Sequence, residues 1–204
     1  MEAKALTEHY YSRTPNTESN PFTWNSTIRG LNFIFKADRG VFSKNEIDFG
    51  SRLLIETFEF PTVEGPILDV GCGYGPIGLT VAKLYEKRTV HMIDINERAL
   101  SLARENAQLN HINNVIIYES DRLTNVDSSF AAILTNPPIR AGKKIVHDIF
   151  EQSYPRLHKE GELWVVIQKK QGAPSALTKL EEIFPHVEVV EKKKGYWIIR
   201  AKKY

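Results

Sequence analysis

Four stretches of the chain carry side chains whose types and spacing suit chemistry. The first is Leu68-Asp69-Val70-Gly71-Cys72-Gly73-Tyr74-Gly75, and Gly73, Gly75 and Gly78 also satisfy a G-x-G-x-x-G spacing. Glycines at this density permit a tight turn and let the backbone approach a ligand closely. A dinucleotide pyrophosphate uses such a turn, but Asp69 stands two residues before Gly71, and a carboxylate at the mouth of an anion cradle repels it. A ligand with a cationic amine is attracted instead. S-adenosylmethionine has an amino group, a positive sulfonium and no phosphate, so it suits the loop. Asp94, 25 positions after Asp69, is placed to accept from two ribose hydroxyls, and Asp121 to accept from an adenine amino group. Any one of these acids could cap a helix or pair with a lysine. Three of them after three consecutive strands, around one glycine loop, point to a ligand. Cys72 reads as a small loop residue, because no histidine or acid has nucleophile spacing relative to it.

The fourth stretch is Thr135-Asn136-Pro137-Pro138-Ile139-Arg140. Its two prolines fix φ and remove two backbone donors, so carbonyl groups near Asn136 and Pro137 stay available as acceptors. Asn-Pro-Pro also occurs in ordinary turns. Its weight here comes from its place, after the fourth strand of an alternating fold.

The elements that must position these residues follow from the hydrophobic pattern. The first 30 residues read as an irregular arm with one short helix, and 31–36 with 40–42 as a hairpin turning at Asp38-Arg39. Residues 47–58 place Ile47, Leu54, Ile55 and Phe58 on one helical face, with Asp48 supporting the free N–H groups of the first turn. Strands are expected at 66–70, 89–94, 115–118, 131–135 and 163–168, and helices at 76–87, 96–110 with Asn96 as cap, 145–157 kinked at Pro155, and 177–184. Residues 187–190 and 196–200 form a closing hairpin turning at Lys194-Gly195. The expected fold is therefore α/β: a doubly wound, mostly parallel, seven-stranded sheet ending in an antiparallel hairpin. An arm and hairpin over 1–45 precede a catalytic domain over 46–204. The ligand belongs beyond the carboxyl ends of the first strands.

Composition limits the alternatives. With 204 residues, 42% of them hydrophobic, the chain can bury a sizeable core, and disorder throughout is excluded. One cysteine excludes a disulfide framework, and the 6 histidines form no ligand cluster with acids, so no metal is expected. Apolar runs are shorter than a membrane span and no signal peptide opens the chain, so a soluble cytoplasmic protein is expected. The net charge of +2 hides a gradient: residues 1–139 hold 13 basic and 17 acidic side chains, residues 140–204 hold 14 and 8. The sign changes at Arg140, directly after the two prolines, where a polyanionic partner would arrive. Lys192, Lys193, Lys194, Arg200, Lys202 and Lys203 either extend that surface or simply keep it soluble.

Asp69-x-Gly71-x-Gly73-x-Gly75 followed by Asn136-Pro137-Pro138 resembles the class I S-adenosylmethionine-dependent methyltransferases that modify planar nitrogens. Gly40-Val41-Phe42-Ser43, then Asp48-x-Gly50, then Ile139-Arg140-Ala141-Gly142-Lys143 narrow the resemblance to the RsmC-like family. Its best-known members methylate the exocyclic amino group of a guanine in small-subunit ribosomal RNA. The resemblance extends over about residues 8–204. It implies S-adenosylmethionine as cofactor, S-adenosylhomocysteine as product and no metal. It assigns Asn136, Pro137 and Pro138 to catalysis, and Asp69, Gly71, Cys72, Gly73, Gly75, Asp94, Ile95, Asp121, Phe42 and Ser43 to the cofactor. Ile139, Arg140, Lys143 and Lys144 fall to the substrate. The implied partner is RNA, as ribosomal RNA or a ribosomal subunit, acted on by a monomer or homodimer away from any membrane.

Two departures stand out. Many amino methyltransferases stack an aromatic residue on the target base after the second proline, where this chain has Ile139. Phe42, Arg140 or an N-terminal aromatic would have to stack instead. The best-known relatives also carry two tandem methyltransferase-like domains, whereas this chain holds one. Methylation of a protein glutamine amide, methylation of DNA adenine, and a non-catalytic RNA-binding module remain alternatives. A dehydrogenase is disfavoured by Asp69.

Overall fold

The computed structural model describes residues 20–38 and 46–204. Its first element is a hairpin of β1 (Phe22–Ile28) and β2 (Leu31–Ala37), antiparallel, with Ile28 opposite Leu31. Arg29 and Gly30 join them in left-handed conformations, φ 47° and 77°, as a two-residue hairpin turn requires. Residues 22–28, expected within an irregular arm, are thus a strand, and the 40–42 half of the expected hairpin lies outside the described residues. The partner of 31–36 precedes it, in a segment whose alternation of Phe22, Trp24 and Ile28 with Thr23, Asn25 and Thr27 is a strand pattern. Gly40, Val41, Phe42 and Ser43 lie outside the described residues.

The first helix among the described residues, α1 (Phe49–Thr57), begins at Asp48, whose side chain accepts from the Ser51 N–H at 3.0 Å. A cap of this kind is worth about 1 kcal/mol. Leu53, Leu54 and Ile55 are buried, as are the flanking Ile47 and Phe58. Then come β3 (Ile67–Val70), α2 (Pro76–Leu84), β4 (Val90–Asp94), α3 (Glu97–Leu109), β5 (Val115–Glu119), β6 (Phe130–Thr135) and α4 (Lys143–Arg156). The chain closes with β7 (Leu157–Gln168), α5 (Ala173–Ile183), β8 (His186–Lys193) and β9 (Tyr196–Lys202).

The seven strands run in the order β5-β4-β3-β6-β7-β9-β8, the first five parallel and β9 antiparallel to both neighbours. The α/β sheet ending in an antiparallel hairpin is thus as expected. Central β3 and β6 are buried along their whole length, as strands covered on both faces must be. Residues alternate between two cores: Ile67, Leu134 and Trp164 face α1, α2 and α3, while Leu68, Ile133 and Val165 face α4 and α5. Two boundaries differ from expectation. Helix α4 runs straight into β7, which starts at Leu157 rather than 163, so Pro155 falls in the last helical turn and kinks nothing in mid-helix.

The N-terminal hairpin shares the first core through Ile28, Phe33 and Phe35. Its open edge is met by α3. Asn110 accepts from the Ile34 N–H at 2.9 Å and donates to its carbonyl at 2.8 Å, and Asn106 does the same for Lys36 at 2.7 and 2.8 Å. Two asparagines one helical turn apart therefore stand in for a neighbouring strand and leave no raw edge there.

Candidate active site

Strands β3 and β6 are neighbours with Val70 opposite Thr135, and the Thr135 hydroxyl donates to the Val70 carbonyl at 2.9 Å. The next residues, Gly71 and Asn136, consequently leave the sheet side by side at its carboxyl end, about 5 Å apart by strand spacing. The glycine loop and Asn-Pro-Pro thus form one site.

Local backbone bonds set the glycine loop. The Gly71 and Cys72 N–H groups both donate to the Ile93 carbonyl at 2.9 Å, bending the chain over the end of β4. Gly71 and Gly73 take φ of 73° and 57°, and a Cβ built on either meets no atom within 4 Å. The loop is therefore glycine for its conformation, and it presents bare backbone. Gly75 caps α2 in the left-handed region.

Asp69 is 1% exposed. One of its oxygens accepts from the Gly78 N–H at 2.8 Å, and the other, Oδ1, is buried without a partner among the described residues. Burial pushes its pKa up to about 7, against the Gly78 bond and with a push from Asp94. An orphaned carboxylate oxygen beside an open glycine loop is what a cationic amine would complete. Asp94 accepts from the Gly73 N–H and the Asn96 N–H, both at 2.9 Å, one on each oxygen. Burial raises its pKa while backbone N–H groups of Asn96, Gly73 and Ile95 oppose the rise. Each oxygen keeps a lone pair for hydroxyls. Ile95 follows it, half-buried, at the mouth. The Cys72 thiol is buried, and burial with the charges of Asp94 and Asp69 raises its pKa, so it is a poor nucleophile.

Asp121 stands past the end of β5, but both its oxygens face its neighbour. Arg122 donates to them at 3.1 and 2.7 Å and to Asp148 at 2.7 Å. An adenine amine there would share a carboxylate already gripped by a guanidinium.

On the other side, Asn136 is fixed from a distance. Its Nδ2 donates to Asp48 Oδ1 at 3.2 Å and to the Ser51 hydroxyl at 3.0 Å. A carboxylate only accepts, so the amide face toward Asp48 must be the NH2, and the Asn136 oxygen is turned the other way, with no hydrogen-bond donor on it among the described residues. Asp48 therefore has two tasks, cap of α1 and partner of Asn136. The sequence signal for the first was plain. The second task, and the part of Ser51, had no local signal beyond the Asp48-x-Gly50 motif. Gly50 sits where a Cβ would come within 2.9 Å of the Tyr196 ring, so α1 also presses against β9.

Pro137 is buried and Pro138 opens a single 3-10 turn, Ile139–Ala141. Ile139 packs partly against the second core, whereas Arg140, Lys143 and Lys144 are exposed beside the site. Phe42 and Ser43 are outside the described residues. Among those residues no group of His, Cys, Asp or Glu could hold a metal, and no helix is long and apolar enough to cross a membrane.

Comparison with known proteins places this arrangement. Uncharacterized protein YbxB of Bacillus subtilis (strain 168) is 64% identical over 200 residues, which is 97% of this chain and 100% of that protein. Ribosomal RNA small subunit methyltransferase C of Vibrio cholerae is 32% identical over 168 residues, covering 80% of this chain and 48% of that one. The chain thus spans about half the length of the methyltransferase C relatives it matches. The solved T. thermophilus 16S rRNA methyltransferase (RsmC), in complex with AdoMet and guanosine, superposes with a TM-score of 0.79 over 93% of this chain and 52% of that one. At 22% identity that likeness shows the fold, a class I methyltransferase fold. Residues 32–200 match the family model itself, and the chain belongs to the methyltransferase small domain family.

Proposed function

We propose that this protein transfers a methyl group from S-adenosylmethionine to the exocyclic amino group of a guanine in RNA, with small-subunit ribosomal RNA as substrate. The observation that carries the reading is the Asn136 carboxamide, whose NH2 is held by Asp48 and Ser51 at the end of β6, where Thr135 pairs with Val70 just before the glycine loop. The names of the methyltransferase C relatives support the choice of RNA.

When bound, S-adenosylmethionine supplies an electrophilic methyl group on a sulfonium and leaves as S-adenosylhomocysteine. The chain's own groups bind and polarise. Asp69 would hold the amino group on its unpartnered oxygen, Asp94 the ribose hydroxyls, and Asp121 and Ile95 the adenine side. Asn136 Oδ1 accepts from the target amine. The Pro137 carbonyl is the second acceptor in this reading, the Pro138 carbonyl being already engaged by the Ala141 N–H at 2.9 Å. A purine amino group is a poor nucleophile because its lone pair is delocalised into the ring. Two acceptors on its hydrogens draw the nitrogen toward tetrahedral geometry and stabilise the positive charge that grows on it. A neutral amide does this without removing the proton beforehand, and the methylated nitrogen then gives up its extra proton to solvent. Arg140, Lys143 and Lys144 stand ready for phosphates beside the target nucleotide.

The deciding experiment incubates the protein with labelled S-adenosylmethionine and, in turn, ribosomal RNA, small subunits and assembled ribosomes, then maps the modified nucleoside. Label in N2-methylguanosine is the expected result. Label in a protein glutamine or in adenine would replace the reading.

A further inference from the structure

The lysines of the C-terminal third do not form one surface. The structure splits them between the two ends of the sheet, and the two sets differ in their partners. At the amino end, Arg200 pairs with Glu188 and stands 3.8 Å from Glu162, Lys202 pairs with Glu160 at 2.8 Å, and Lys203 donates to the Leu157 carbonyl at 2.8 Å. These charges are already answered.

The other end of the same hairpin is different. Gln168 is opposite Tyr196, and the Lys169 N–H donates to the Gly195 carbonyl at 2.7 Å. This brings Lys169 and Lys170 against the turn that carries Lys192, Lys193 and Lys194, and all five are exposed. None of the five has a carboxylate partner among the described residues. The nearest acid in sequence, Glu191, turns an oxygen to the Lys192 backbone N–H at 2.8 Å. Two of the ammonium groups rest on aromatic rings instead: Lys192 lies 4.3 Å from the Trp197 centroid, and Lys194 lies 5.0 Å from that of Phe49. Stacked on a ring, an ammonium keeps a fixed place while its outer hydrogens stay open to an anion.

This end is also the catalytic end. The order β6-β7-β9-β8 puts β8 three strand spacings, about 14 Å, from the strand that delivers Asn136. Helix α1 bridges the gap. Phe49, under Lys194, lies 5.5 Å from the Tyr196 ring, and its neighbours Asp48 and Ser51 hold Asn136. Arg140, Lys143 and Lys144 follow Asn136 into the start of α4, the helix that packs on the opposite face of the sheet from α1. The acceptor site therefore lies between two basic banks, as a strand of phosphates crossing it would need.

We infer that Lys169, Lys170 and the Lys192–Lys194 turn form the docking surface for the RNA backbone on one side of the target base. The inference rests on the RNA reading above, and its test separates the two. Binding of transcribed small-subunit ribosomal RNA is measured as a function of salt for three proteins. These are the wild type, the triple variant Lys192→Ala/Lys193→Ala/Lys194→Ala, and a charge-matched control at the amino end, Lys87→Ala/Lys159→Ala/Lys202→Ala. The turn variant should bind RNA ten- to a hundredfold more weakly at low salt. Its plot of log affinity against log salt should be shallower by about 2, from three lost contacts at roughly 0.7 each on single strands. Its S-adenosylmethionine affinity should stay at the wild-type value, and the control should bind RNA within about threefold of wild type. If the turn variant keeps both affinity and slope, or if the control loses as much as it does, the docking surface is wrong while RNA as substrate survives. Should the wild type bind no RNA, the RNA reading itself falls.

Discussion

The two halves of the sheet meet between Gly71 and Asn136, and they are built in opposite ways. The half made of β3, β4 and β5 is assembled locally. Gly71, Cys72, Gly73 and Gly78 all bond groups on β3 or β4, and its acids are Asp69 and Asp94. The half made of β6, β7, β9 and β8 is assembled from afar. The Asn136 amide depends on Asp48 and Ser51, 88 and 85 residues earlier in the chain, and the basic turn arrives from the last strands. A half that is negative and preformed suits a cationic cofactor. A half that is positive and holds one amide in a set orientation from a distant helix suits an acceptor that must be aligned.

Removing Asn136 should break this division most visibly. Asn136→Ala should lower the methyl-transfer rate at least a hundredfold, the scale of losing one preorganised contact to developing charge. Calorimetry should find cofactor affinity nearly intact, because the cofactor half does not lean on this side chain. Turnover at the wild-type rate would end the mechanism.

Asp69→Asn tests the other half and should weaken S-adenosylmethionine roughly ten- to a hundredfold, since hydrogen bonds to charged groups are worth about 1.5–3 kcal/mol. The pH dependence has a definite sign. The folded carboxyl, at about 7, holds its proton more tightly than the unfolded one near 3.8. Ligand-free stability therefore falls as pH rises from about 4 through about 7. A cationic amine needs the ionised form, so wild-type cofactor affinity should climb over the same window and level off above it, with protons released on binding. Asp69→Asn should show no such climb. A flat wild-type profile would remove the amine from Asp69.

The contrast between local and distant assembly also explains what could be read from the sequence. The strands from Ile67 onward, the Asp48 and Asn96 caps, and the glycine loop all announce themselves within a few residues, because each is satisfied by its own neighbourhood. Strand β1, inside a segment that reads as an irregular arm, is not legible alone, since the hairpin's edge is completed by Asn106 and Asn110 some 70 residues on. The start of β7 was set too late because α4 passes into it without a turn. The three acids were legible as types. That one keeps an orphaned oxygen while Asp121 is gripped by Arg122 is a matter of burial and rotamer that no spacing reveals.

Ser51 gives a gentler probe of the distant half. Ser51→Ala keeps the backbone N–H that Asp48 caps and removes only the hydroxyl under the Asn136 amide. One neutral hydrogen bond, about 0.5–1.5 kcal/mol, corresponds to roughly a two- to thirteenfold fall in turnover. KM, cofactor affinity and melting temperature should barely move, and Ser51→Thr should restore the rate. A loss in stability instead of turnover would make Ser51 a structural residue only.

Asp121 should matter least. Its side chain is 42% exposed and shared with Arg122, so its hold on an adenine amine is screened and contested. Asp121→Ala should weaken S-adenosylmethionine only two- to fivefold. Arg122→Ala, which frees the carboxylate, should leave affinity unchanged or raise it slightly. If Asp121→Ala instead costs as much as Asp69→Asn, the Arg122 fork must open when cofactor binds. The cofactor half would then be less preformed than its backbone bonds imply, and the line between a rigid acidic half and an assembled basic half would have to be redrawn at β5.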